Sequence, residues 1–180
     1  LEQGKADGLV TVPTPTRLEH YFASETILTE SVRIYLVDDH PEFSTINQIT
    51  DLEGVRQFTM INYLGNGWAE EHLKDANVTA PSYSNAIKML ALNRGDIFVG
   101  SEYSVLFNLR SLKVKNHDIL PRLEKIVATE NEIASMSYSL LIRKDSEFAN
   151  KLIEFNEVLA LIKKDGTYDK IIRSFYSKQL

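Results

Sequence analysis

Gly4-Lys5-Ala6-Asp7-Gly8, Thr14-Pro15-Thr16-Arg17 and Phe22-Ala23-Ser24 open the chain, and Asp165-Gly166-Thr167-Tyr168-Asp169-Lys170-Ile171 closes it. Ahead of the closing segment, Phe148 to Lys164 is amphipathic and predicts a helix. Gly166 is placed to cap it, because glycine adopts the left-handed conformation without a Cβ clash. Lys163 and Lys164 lie in the last turn, where cations suit the helix dipole. A final helix is predicted from Tyr168 to Tyr176. At the other end, Leu1-Glu2-Gln3 reads as the tail of a helix capped by Gly4, and Gly8 to Val12 as a short strand. Pro13 and Pro15 then predict a turn or loop rather than helix or central strand. Phe22 to Ser24 reads as a short linker.

Between the two ends, apolar runs and helical periods alternate. Val32 to Val37, Gln57 to Ile61, Val78 to Ala80, Asp96 to Val99, Leu123 to Ala128 and Tyr138 to Arg143 predict strands. Ile49 to Gly54 predicts one helical turn ended by glycine, and Trp68 to Leu73 a helix start. Ala86, Ile87, Leu90 and Ala91 recur at helical spacing after a Ser82 or Ser84 cap. Tyr103 to Leu109 predicts a further helix. Strands alternating with helices imply an α/β fold with largely parallel sheets.

The 180 residues are 43% hydrophobic and 25% charged, enough to bury a core in one domain or two small lobes. A formal charge of -5 leaves no excess of cations for a nucleic-acid partner. With no cysteine, thiol catalysis, disulfides and thiolate metal sites are excluded. No apolar run reaches the ~18 residues that span a bilayer.

The terminal motifs resemble those of the family 3 extracellular solute-binding proteins, the polar amino-acid receptors of bacterial ABC importers. That pattern reads G-K-A-D-G, T-P-E-R, F-S and, much later, A-D-G-T-Y-D-K-I. The resemblance spans nearly the whole chain and is specific at its ends. It implies a type 2 periplasmic-binding-protein-like fold, two α/β lobes joined by hinge strands. Residues 1–30 and 137–180 would form the first lobe and residues 31–136 the second, with hinge strands near 31–37 and 136–143. Family members carry two strands and a helix ahead of the G-K-A-D-G motif, so the resemblance implies an incomplete first lobe.

The resemblance also implies a function. A small carboxylate-bearing solute, an amino acid or a relative, would bind in a cleft between the lobes of a monomer. The closed form would dock on an ABC permease, in the periplasm or on an exported, membrane-anchored protein. The alternative is a sensing domain of the same fold, not coupled to transport. No nucleophile–base pair is discernible, so an enzyme is not expected, nor is a cofactor. His20, His40, His72 and His117 are scattered without metal-ligand spacing.

Arg17 is the foremost candidate, since the family's arginine in this turn binds the ligand carboxylate. A planar guanidinium suits that task because it donates two parallel charge-assisted hydrogen bonds. Thr11 and Thr14 flank it, where the family places hydroxyl donors. Asn62, Tyr63 and Leu64 stand where the family has G-T-T, so the hydroxyls are lost and backbone donors remain. Ser101 stands where the family has the aspartate that pairs with the α-amine, with Glu102 beside it. A buried cation needs a partner. Either Glu102 substitutes, or the ligand lacks that amine, or the cleft has lost binding. Arg94-Gly95-Asp96 reads as a helix stop and strand start, Asn77-Val78-Thr79 as a chance sequon, and Trp68 as core.

Overall fold

The computed structural model describes residues 6–73 and 78–176, with the side chains of residues 175 and 176 excepted. The expected helix tail at Leu1 to Gly4 and the Asn77 of the sequon lie outside the described residues. In chain order the elements are β1 (Gly8–Thr11), α1 (Pro15–His20), β2 (Tyr21–Ala23), β3 (Leu28–Val37), α2 (Phe43–Ile46), β4 (Met60–Tyr63), α3 (Gly67–His72) and β5 (Val78–Ala80). There follow α4 (Tyr83–Ala91), β6 (Ile97–Ser101), α5 (Glu102–Lys115), α6 (Leu120–Leu123), β7 (Ile126–Ala128), β8 (Ala134–Arg143), α7 (Lys151–Lys164) and α8 (Thr167–Tyr176). Short 3₁₀ turns cover Gly54–Gln57 and His117–Ile119.

Two compact units divide the chain: residues 1–29 with 137–180, and residues 30–136. In the first unit β8 takes β1 on one edge and β2 on the other, both antiparallel, with Gly8 opposite Ile142 and Phe22 also opposite Ile142. Gly8 is required there: a Cβ on it would stand 2.5 Å from the Leu141 carbonyl oxygen. Helices α7 and α8 pack on each other across Gly166, whose φ of 78° makes it the left-handed cap that the sequence predicts.

The second unit holds a five-stranded sheet. β4 pairs in parallel with β5 and β6, whereas β3 pairs antiparallel with β6 and with β7. The expectation of largely parallel sheets is corrected here: two of these pairings and both in the first unit are antiparallel. Alternation of strands and helices does not fix strand direction when a strand enters the sheet from another unit. Along β3, Val32, Ile34 and Leu36 are fully buried on one face, and Tyr35 and Val37 are buried on the other. The sheet is therefore covered on both sides. One cover is α4 and α5, which seal Tyr35, Ile61 and Phe98 under Ile87, Leu90 and Leu109. Ala86, Ile87, Leu90 and Ala91 are all buried, as their spacing predicts.

Several local expectations are corrected. Pro15 starts helix α1 instead of forbidding it, because the first helical position needs no N–H donor. Phe22 belongs to strand β2, not a linker. Gly54 opens a 3₁₀ turn, whereas an ending was expected. Leu123 lies in a helical turn, so β7 begins only at Ile126. Helix α5 runs on to Lys115, beyond the expected Leu109.

Candidate functional site

In the first unit, the turn between β1 and α1 gathers three candidates. Thr11 ends β1, Thr14 occupies the N-cap position of α1, and Arg17 lies within that helix. Arg17 folds back over the turn. Its Nη1 donates to the Thr11 hydroxyl at 3.1 Å and to the Val12 carbonyl at 2.8 Å. Both Nη1 protons are thereby engaged. The Nε–Nη2 edge has no partner among the described residues, and no carboxylate pairs with this arginine among them. Thr14 is buried; its N–H donates to Val12 O at 3.0 Å, and its own carbonyl accepts from Leu18. The Pro13 and Pro15 rings stiffen this turn, so the guanidinium is held rather than free to roam.

In the second unit, Asn62 and Tyr63 end β4 and Leu64 is strongly exposed. The Leu64 N–H is spent on the Ala80 carbonyl at 3.0 Å. Those of Asn66 and Gly67 are spent on Tyr63 at 3.3 Å and Gly65 at 3.0 Å. Asn66 caps α3 by accepting from the Ala69 N–H, and its amide donates to Asn62 Oδ1 at 2.9 Å. Gly65 has a φ of 82°, a turn that only glycine makes without strain. The Tyr63 ring packs against Tyr83 at 4.9 Å and Phe98 at 6.5 Å. Side chains thus hold this loop in one shape, and most of its backbone donors serve the protein itself.

Ser101 ends β6 and Glu102 begins α5. Ser101 is buried and makes no capping bond to its own helix. Its side chain pairs instead with Glu30 of β3, whose carboxyl also accepts from the N–H groups of Tyr103 and Ser104. The acid that caps α5 therefore comes from another strand. Burial pushes the Glu30 carboxyl above its ordinary 4.5, and the charge of Glu102 adds to that, against the three hydrogen bonds. Glu102 meets Arg33 Nε at 3.9 Å, and Arg33 also donates to the carbonyls of Thr129, at 3.1 Å, and Glu130.

The structure thus assembles Thr11, Thr14 and Arg17 in one unit. In the other it places Ser101 with Glu102, and Asn62, Tyr63 and Leu64 on a separate loop. Glu30 was missed by the sequence reading. The signal for it was present: it continues by twos the buried row Val32, Ile34, Leu36. Trp68 is buried, as expected, and stacks on His72. Asp96 stands just ahead of β6 and accepts from the Thr59 N–H at 2.7 Å. Among the described residues no helix is long and apolar enough to cross a membrane.

No protein-family model matches the chain, and neither does any curated protein. Solved structures do. A histidine kinase sensor domain with similarity to periplasmic binding proteins superposes with a TM-score of 0.73 at 21% identity, over 97% of this chain and 71% of the other. A mutant of ArgBP from T. maritima gives 0.70 at 22%, over 98% and 72%. The substrate-binding protein of an amino acid ABC transporter gives 0.67 at 18%, over 98% and 74%. In all three the match spans nearly all of this chain and somewhat under three quarters of the solved one. The chain therefore has the mixed α/β fold of the periplasmic binding proteins.

Proposed function

We propose that this chain captures a small carboxylate-bearing solute, an amino acid or a relative of one, and hands it to an ABC-type importer. Arg17 is the group that takes the carboxylate, with Thr11 and Thr14 shaping the turn around it. Asn62, Tyr63, Leu64, Ser101 and Glu102 are the second unit's candidates for the rest of the solute. The chain acts as a monomeric receptor of the periplasm or exported surface, docks on a permease and performs no chemistry of its own.

The observation that carries this reading is the state of Arg17. One guanidinium nitrogen is fixed to the turn, while the Nε–Nη2 edge has no partner among the described residues. An arginine held in this way loses little side-chain freedom when a carboxylate arrives, so more of the contact energy appears as affinity. The solved structures with this fold include the substrate-binding protein of an amino acid ABC transporter.

A thermal-shift panel of amino acids, dicarboxylates and small peptides tests the proposal. A solute at about 100 times its Kd stabilises by about 2.7 kcal/mol, which such a screen detects. Calorimetry on Arg17→Ala then follows for every hit. Retained affinity in that variant would remove Arg17 from the site, and a panel without hits would count against solute capture. The likeness to a histidine kinase sensor domain favours a second reading, a sensing domain without transport. Uptake of the hit solute by cells with and without the gene separates the two.

A further inference from the structure

Glu30 is the first residue of the second unit along β3, and it is 93% buried by the 7% exposure that remains. One of its oxygens, Oε2, is buried without a hydrogen-bond partner among the described residues. The rest of the carboxyl binds the first turn of α5 through Ser101, Tyr103 and Ser104. The ionisable groups that act on it are Glu102 on α5 and Tyr35 on β3, and Arg33 on β3 pairs with Glu102. Glu102 repels a charge on Glu30. Arg33 is committed to Glu102, Thr129 and Glu130. The Tyr35 hydroxyl is buried and stays neutral, its ionisation opposed first by burial and then by the charge on Glu102.

We propose that Glu30 is a proton-held latch between β3 and the first turn of α5. Neutral, it stays buried and keeps the turn closed; ionised, it draws toward water and frees the Tyr103 and Ser104 amides.

The sign follows from linkage. A carboxylate with a bare buried oxygen and an acidic neighbour is better hydrated when the turn opens, so its proton is held more tightly in the closed form. Protonation therefore favours closure, and each pH unit between the open-form and closed-form midpoints changes the open population about tenfold. The latch requires no solute and stands apart from the solute-binding reading.

The test is hydrogen exchange and carbon-detected side-chain titration by NMR on the uniformly labelled full chain, from about pH 4 to 8. The Glu30 carboxyl should titrate above 4.5, and protection of the Tyr103 and Ser104 amides should fall about tenfold per pH unit up to that midpoint. Glu30→Gln should hold those protection factors constant across the range. Glu102→Gln should lower the Glu30 midpoint, and it keeps the test open if the Glu30 variant does not fold. A Glu30 midpoint at or below 4.5 would overturn the proposal, as would wild-type protection that stays flat through the titration.

Discussion

Arg17 is tied to Thr11: Nη1 of the guanidinium donates to the threonine hydroxyl across the turn at 3.1 Å. Together with the bond to Val12 O, this leaves Arg17 doing structural work on one nitrogen only. Arg17→Ala should lower affinity for any carboxylate solute by about 2–5 kcal/mol, roughly 30-fold to several thousand-fold. The same change should cost only about 1 kcal/mol of stability, since the bonds are partly exposed. Calorimetry with the solute and melting without it separate the two numbers. Thr11→Val should weaken binding less than Arg17→Ala, because the Val12 carbonyl still holds the side chain.

Gly8→Ala should lower the melting temperature by several degrees. Its new Cβ would sit 2.5 Å from a main-chain oxygen of β8, which cannot rotate away as a side chain could. Either β1 or β8 must shift, at about 1–3 kcal/mol. Differential scanning calorimetry reads this directly; an unchanged melting point would mean that the β1–β8 register differs from Gly8 opposite Ile142.

Phe98 is 1% exposed, with Tyr83 edge-on at 5.3 Å and Tyr63 tilted at 6.5 Å. Phe98→Ala should cost about 3–5 kcal/mol in urea unfolding, and Phe98→Leu clearly less, since most of the volume remains filled.

Asp96 responds to acid in the ordinary carboxylate sense. Burial pushes its carboxyl up, but hydrogen bonds from Thr59 and His40 outweigh that and hold it below 3.8. Its stabilising contribution is thus complete above 3.8 and is lost as pH falls through the lower folded-state value. Asp96→Asn should lower stability at neutral pH and flatten the acid limb of the melting curve. The side chain is 38% exposed, so the effect will be small.

Glu30 has the opposite sign. Its folded-state value lies above 4.5, so its contribution is complete below 4.5 and is lost as pH rises through the folded value. The melting temperature of the wild type relative to Glu30→Gln should therefore decline with rising pH in that window and then level off. A difference that grows with pH would contradict the burial seen for this side chain.

Much of the fold was legible because period and punctuation agreed. Ala86, Ile87, Leu90 and Ala91 read as one helix face and are one, and Gly166 read as a cap and has the φ of one. Helix α5 was cut short because it carries apolar residues on two sides: Val105, Leu109 and Leu112 are buried while Leu106, Phe107 and Val114 are exposed. A helix without a single apolar stripe gives periodicity little to find. Strand directions were not legible either, since β3 pairs with β6 and β7, which lie far along the chain. At the candidate site, Arg17 is picked out by its motif, but its tie to Val12 O depends on helix α1, which Pro15 starts and which the sequence reads as a loop. Ser101 was read as a missing acid. The acid beside it, Glu30, lies 71 positions earlier in the sequence and reaches Ser101 only through strand pairing, with Val32 opposite Ser101.

The crossing from one unit to the other has a practical side. Residues 30–136 are one uninterrupted segment, and the residues just outside it, Thr29 and Ser137, share a hydrogen bond between their hydroxyls at 3.0 Å. The second unit is thus a cassette with its two ends side by side. It could be expressed as a separate segment, and a two-residue turn placed between Thr29 and Ser137 would join the strand ends of the remainder. Melting and titrating each segment beside the full chain would then test which unit produces a given effect.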